Sequence, residues 1–208
     1  MKRRPEAEER KALEAERKKV EQEESKYHSE IEKLKLQLAE AKDDELEKLN
    51  ARILALQSQL ADVIVKKEEI STLANGKAGN VYVISNLGSF GENVFKIGMT
   101  RRLNPQDRVD ELGNASVPFR FDVHSFIFSN DAVGLENKLH TLLDDRRVNK
   151  VNMRKEFFNI SLDELEQIVT ETEPTAEFNR TMAAEEFRQS QSTNENYSSN
   201  FNYDEDDE

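Results

Sequence analysis

Seven basic residues fall into two clusters, Arg101 with Arg102, and Arg146, Arg147, Lys150, Arg154 and Lys155. Cationic side chains grouped in this way offer contacts to phosphate, which give affinity without sequence readout. The plainer alternative is solvated charge, since Asp144 and Asp145 stand beside the second cluster. Glu136 and His140 are four residues apart, and on a helix they share one face. That spacing suits either a helical pair or one metal ligand beside a proton shuttle. There is no cysteine, hence no disulfide and no thiolate metal site. No zinc-finger or helix-turn-helix spacing is present, so nothing predicts a sequence preference. The carboxylate run Asp204 to Glu208 lacks the spaced ligands and the glycine of a calcium loop and reads as solvated charge.

These groups need a scaffold, and composition bounds what it can be. Of 208 residues, 36% are hydrophobic and 35% charged, too polar for one compact body of that length. The net charge of -12 is uneven. Residues 171–208 carry 2 basic and 11 acidic side chains, whereas residues 79–170 carry 11 and 13. The acidity is therefore largely a property of the tail and does not argue against a nucleic-acid partner for the middle of the chain. No apolar run approaches the roughly 20 residues needed to cross a bilayer. The basic start Met1-Lys2-Arg3-Arg4-Pro5 is followed by no apolar core, so no secretory signal is expected. The chain is expected to be cytoplasmic, with no membrane partner.

Residues 1–70 contain no glycine and only Pro5. Apolar residues recur at Ile31, Leu34, Leu38 and Ala41, and again at Leu46, Leu49, Ile53, Leu56, Leu60 and Val63. Both sets alternate like the a and d positions of a heptad, offset by one residue near Asp43-Asp44, which reads as a skip in a coiled coil. Upstream, Leu13, Val20 and Tyr27 continue the seam with polar Arg17 and Glu24 between them, so this end is expected to pair weakly. A lone helix cannot bury such a seam, and a homo-oligomer, a dimer, is expected. The alternative is a solitary charged helix packing on its own globular domain.

Residues 71–79 hold two glycines and small polar residues and read as a linker. Val81 to Ile84 and Val94 to Ile97 are strand-like runs around a turn-rich loop, a hairpin in outline. Asn104-Pro105 opens a helix with Val109 and Leu112 on its apolar stripe and Gly113 as its stop. Phe119 to Phe128 is a third strand, Asp131 to Leu143 a second helix, and Glu156 to Ile160 a short final strand. Ser161-Leu162-Asp163-Glu164 caps a last helix. From Glu171 onward the composition cannot bury a core, and disorder is expected.

On this element order the residues Asn80-Val81-Tyr82 and, fourteen residues on from Tyr82, Lys96-Ile97-Gly98 resemble the signature of the GIY-YIG nuclease superfamily. The similarity covers about 90 of the 208 residues. Phe95 to Thr100, Leu135 to His140 and Lys155-Glu156-Phe157-Phe158 resemble a bacteriophage-type branch described as a DNA-binding domain, often carboxy-terminal to a coiled coil. The resemblance implies a site in which Glu136 holds one Mg2+ or Mn2+, Arg108 contacts phosphate, and Tyr82 positions or deprotonates water. Lys96, in place of a second family tyrosine, binds phosphate or acts as a base. It also implies His140 as a shuttle, with Glu156 and Asn159 as support. Each has an ordinary alternative. Tyr82 packs in a strand, Arg108 bridges Glu111 or Asp107, and Glu156 salt-bridges a nearby arginine. His124, on a strand, reads as structural.

The sequence thus predicts an α+β chain: coiled coil 1–70, linker 71–79, a three-stranded mainly antiparallel domain at 80–170, and a disordered acidic tail at 171–208. The expected function is DNA binding, with metal-dependent endonuclease cleavage or, alternatively, a catalytically inactive binding or regulatory role.

Overall fold

The computed structural model describes residues 3–114 and 117–192. Helix α1 runs Arg3–Glu40 and helix α2 runs Asp43–Ala74. The chain reverses at Ala41-Lys42, where Lys42 is extended (φ -90°, ψ 162°) and its carbonyl accepts the first bonds of α2. The offset between the two heptad sets is therefore a hairpin turn. Leu13 and Val20 are buried with Val63, Ile70 and Leu73, while Ile31 is buried with Ile53, Leu56 and Leu60. Early residues meet late ones, so the pair is antiparallel. Lys66–Glu16 and Lys67–Glu24 ion pairs, both at 2.7 Å, flank the seam.

This corrects two expectations. The amino-terminal end is held by Leu13 and Val20 against α2 instead of pairing weakly. The seam that called for a second chain is covered within one chain, so the argument for a homo-oligomer falls away. Each aliphatic side chain so buried contributes about 1.5–3 kcal/mol, and Ile70 and Leu73 carry α2 into the segment expected to be linker.

The sheet contains β1 (Gly79–Ser85), β2 (Val94–Thr100), β3 (Asp122–Ser129) and β4 (Phe157–Asn159). Its order is β3-β1-β2-β4, antiparallel throughout, so the short final strand expected at Glu156 to Ile160 joins the expected three-stranded sheet as a fourth member. The fourth is the short Phe157–Asn159 run. The α+β class stands. Alternation along β1 and β2 gives the sheet two faces. Val81, Val83, Phe95 and Ile97 face α5 (Ala132–Leu142) and α6 (Leu162–Thr172) in the main core. Tyr82 and Ile84 face α4 (Gln106–Asn114) through Val109 and Leu112, with Phe121 from the segment before β3 packed against them. The β1–β2 connection holds a one-turn helix, α3 (Leu87–Phe90), closed by Gly91 at φ 82°, a backbone region that favours glycine. Caps follow the sequence where it is explicit. The Ser161 hydroxyl accepts from Glu164 N at 3.3 Å, and the Asp131 carboxylate accepts from Gly134 N at 3.0 Å.

The carboxy-terminal boundary also moves. Residues 173–184 run along β3, where Asn179 N donates to His124 O at 2.7 Å and Ser125 Oγ to Glu177 O at 2.7 Å. Phe178 stacks on the His124 ring at 5.7 Å, and Ala176 and Met182 join the core. A further helix, α7 (Glu185–Ser192), lays Phe187 against Phe119 at 5.3 Å. The tail expected from Glu171 is therefore structured to Ser192, and residues 193–208 lie outside the described residues. The segment shields part of an edge strand that would otherwise present open backbone groups. Among the described residues no helix is long and apolar enough to cross a membrane.

Candidate functional site

On the α4 face of the sheet, β1 and β2 place Tyr82 opposite Gly98, and Lys96 lies two residues before Gly98 on the same face. Tyr82 fits only because residue 98 lacks a side chain: a Cβ there would come within 2.7 Å of the Tyr82 Cζ. The motif glycine therefore permits a close crossing of a phenol over a strand. Lys96 Nζ sits 3.1 Å from Glu156 Oε2, 5.9 Å from the Tyr82 ring centroid and 5.4 Å from that of Phe157. From α4, Arg108 donates to Glu111 Oε2 at 2.6 Å, and Arg102 reaches the same oxygen at 2.7 Å. Glu136 comes from α5, whose apolar face packs on the other side of the sheet. β4 pairs with β2 from Val94 to Lys96, and just beyond, Ile97 N donates to Glu156 O at 3.2 Å.

Tyr82, Lys96, Arg108, Glu136, Arg154, Lys155 and Glu156 line one cavity of about 640 Å³, together with Phe90, Phe121 and Phe157. Four cations face two carboxylates there, so the cavity favours an anion. Burial pushes the Tyr82 phenol well above its ordinary value, and Glu156 and Glu136 add to this against the opposing charge of Arg108. Burial lowers the Lys96 ammonium, opposed by Glu156 and Glu136. Burial works most strongly against the Arg108 charge, but its bond to Glu111 and the added attraction of Tyr82, Glu111 and Glu9 together outweigh it and hold the guanidinium more firmly charged. To a hard divalent cation the cavity presents two carboxylates, Glu136 from α5 and Glu156, the latter paired with Lys96. Among the described residues no group of three His, Cys, Asp or Glu stands ready to hold a metal. The donor set fits an ion whose shell is completed mainly by water and a substrate phosphate.

Other expected site residues lie elsewhere. His140 is buried at the α5–β2 contact, where its Nε2 donates to the Ile97 carbonyl oxygen at 3.0 Å and its ring lies 5.2 Å from Phe158. It does not line the cavity, because residues four apart on α5 reach different levels of the sheet. Burial lowers its pKa, which keeps it neutral. Arg147 is also buried. It donates to Asp144 Oδ1 at 2.8 Å and stacks 5.0 Å over Phe158, so its contacts are intramolecular. Arg146 pairs with Asp145 and Glu164, and Arg101 donates through Nε and Nη2 to Gly76 O. Lys150 is exposed and away from the cavity, and Asn159 is exposed on β4 opposite Val94. Of the seven basic residues, Arg154 and Lys155 reach the cavity.

Sequence reasoning misses Glu9 and the aromatic wall. Glu9, on α1, accepts from Thr100 Oγ1 at 2.8 Å and lies 4.0 Å from Arg102, tying the helical hairpin to the end of β2. No local signal links positions 91 residues apart. Phe90 lies in a segment dominated by turn formers, although a phenylalanine in so polar a stretch is itself a signal.

No curated protein and no solved structure matches the chain. The family comparison corrects the resemblance drawn from the sequence. Tyr82, Lys96 and Gly98 do sit together, but what matches is a different family from GIY-YIG. Residues 79–173 match the model of the T5orf172 domain, and that match is compatible with a DNA-binding or nuclease-like role.

Proposed function

We propose that residues 79–192 bind DNA through the cavity between α4 and the sheet and hydrolyse a phosphodiester there with one bound Mg2+ or Mn2+. The observation that carries this reading is the convergence of Arg108, Lys96, Arg154 and Lys155 with Glu136 and Tyr82 on one cavity. Arg108, held charged and braced by Glu111, offers a guanidinium to phosphate oxygens. Glu136 is the carboxylate that would hold the ion, which when bound supplies charge stabilisation and a more acidic water. Tyr82, kept protonated by burial, orients the attacking water and donates a hydrogen bond to it or to the phosphate. Lys96, with its lowered pKa, suits the transfer of a proton from that water to the leaving oxygen. Water adds to phosphorus, the phosphorus–oxygen ester bond breaks, and the proton moves through Lys96.

A second reading, binding without cleavage, is favoured by the Lys96–Glu156 ion pair, which engages the ammonium the first reading needs as a base. Nicking of supercoiled plasmid in magnesium or manganese separates the two. Cleavage abolished by Glu136→Gln with binding kept, and both impaired by Arg108→Ala, supports the hydrolase. Absence of cleavage by the unmodified protein on duplex and single strands, with binding retained, leaves the binding module.

A further inference from the structure

The cavity holds more than a phosphate cradle. Phe90, Phe121 and Phe157 line the same space as Arg108, Arg154 and Lys155. Phe90 packs on Phe157 at 5.1 Å and on Phe121 at 6.3 Å, yet remains 38% exposed. It is carried on the one-turn helix between β1 and β2, the segment expected to be a polar turn. A partly exposed aromatic cluster beside cations, inside a concavity, is more than a backbone-only reader of a duplex requires, because phosphate contacts need charge and no ring. A π-face next to cations is what an unpaired base and its phosphate need together.

We infer that the ligand of this cavity is an unpaired nucleotide, a base from single-stranded DNA or from an interrupted duplex, stacked on Phe90 with its phosphate held by Arg154, Lys155 and Arg108. The inference rests on the DNA reading above and narrows it. A cavity of about 640 Å³ holds a nucleotide but not a paired duplex, whose bases are enclosed by their own stack. Phe90 stacks on the base, and the cations supply the sequence-independent attraction. No base-edge code is needed, in keeping with the absence of a readout motif in the sequence.

The chain has no tryptophan, so Phe90→Trp gives the intact protein a single reporter at the proposed stacking position. Three fluorescein-labelled probes of equal length are titrated in full-length protein by anisotropy: a single strand, its paired duplex, and the single strand with abasic sugars. Unlabelled copies of the same probes are used to read the indole fluorescence. The expected results are tighter binding of the single strand than of the duplex, and quenching of the introduced indole by the single strand but not by the abasic strand. Phe90→Leu keeps apolar packing against Phe121 and Phe157 but removes the π-face. It should lower the single-strand to duplex affinity ratio about five-fold or more. Tight DNA binding with no quenching, or an unchanged ratio in Phe90→Leu, overturns the inference while leaving the DNA reading intact. Failure of all three probes to bind at low salt overturns both.

Discussion

Tyr82 lies across Gly98, so closely that a methyl group at position 98 would meet the phenol ring. Gly98→Ala must therefore move Tyr82 or the strand. Overpacking of this kind costs about 1–3 kcal/mol. Urea denaturation should show that loss, and the penalty should shrink in a Tyr82→Val background, where the ring is gone. An equal penalty in both backgrounds would place the strain elsewhere.

Stability should fall in mild acid, and the sign follows from two buried histidines. Burial lowers the pKa of both His124 and His140 below the usual 6.5. Each is hydrogen-bonded, His124 to Asn179 O at 2.7 Å and Ser85 Oγ at 2.8 Å, and His140 to Ile97 O. Below pH 6.5 the unfolded chain takes up protons that the folded protein resists. The stabilising contribution is full above 6.5 and is lost as pH drops through the folded-state values. The slope is up to about 1.4 kcal/mol per pH unit for each histidine. Denaturant midpoints measured between about pH 5 and 7 check this, and His140→Gln should flatten the dependence. A flat profile in the unmodified protein would contradict it.

Arg147 and the Arg154–Lys155 pair should separate cleanly despite their proximity in sequence. Arg147→Ala removes a buried guanidinium from Phe158 and should destabilise the fold by about 1–2 kcal/mol. Arg154→Ala with Lys155→Ala changes exposed side chains and should leave stability within about 0.5 kcal/mol. That double change should weaken binding of single-stranded DNA and reduce the salt dependence by roughly 0.7 per lost contact, measured by anisotropy across a salt series. Loss of binding without destabilisation in Arg147→Ala would reverse the assignment.

Residues 171–192 should belong to the folded unit. Removing residues 171–192 would strip Phe178 from His124 and Ala176 and Met182 from the core. Thermal melts of chains ending at 192 and at 170 should show the large drop between those two lengths, by several degrees at least, since about 1 kcal/mol shifts a midpoint by a few degrees in a protein of this size. Equal melting of the two would mean the segment along β3 contributes nothing.

The helices α5 and α6, the β1–β2 pair and the cap at Ser161 were legible because their signals are local: strand alternation, capping residues at fixed spacing, and heptad periodicity along α1 and α2. Such patterns state which face of an element is apolar, and they did. They do not state what covers that face. The turn at Ala41-Lys42 carries no glycine or proline, so a skip within one helix and a reversal between two read alike until Leu13 is seen beside Leu73 and Ile70. Composition misleads about the tail for the same reason. Phe178, Met182 and Phe187 are too few to signal a core, but each fits a surface that β3 and its flanking loop present from elsewhere in the chain.

The site divides along the same line. The resemblance to the GIY-YIG signature, although a different family matches, points to Tyr82, Lys96, Arg108 and Glu136, and the grouping of basic residues points to phosphate contacts. Only the tertiary structure decided that Arg154 and Lys155 face the cavity while Arg147 is buried over Phe158, and that His140 serves a backbone carbonyl on β2. It also decided that Lys96 meets Glu156, sixty positions later, at 3.1 Å. A charge's role depends on what burial and neighbours do to it, and neighbours separated by 60 or 91 residues are set by how sheet and helices pack, which no local pattern of residue types records.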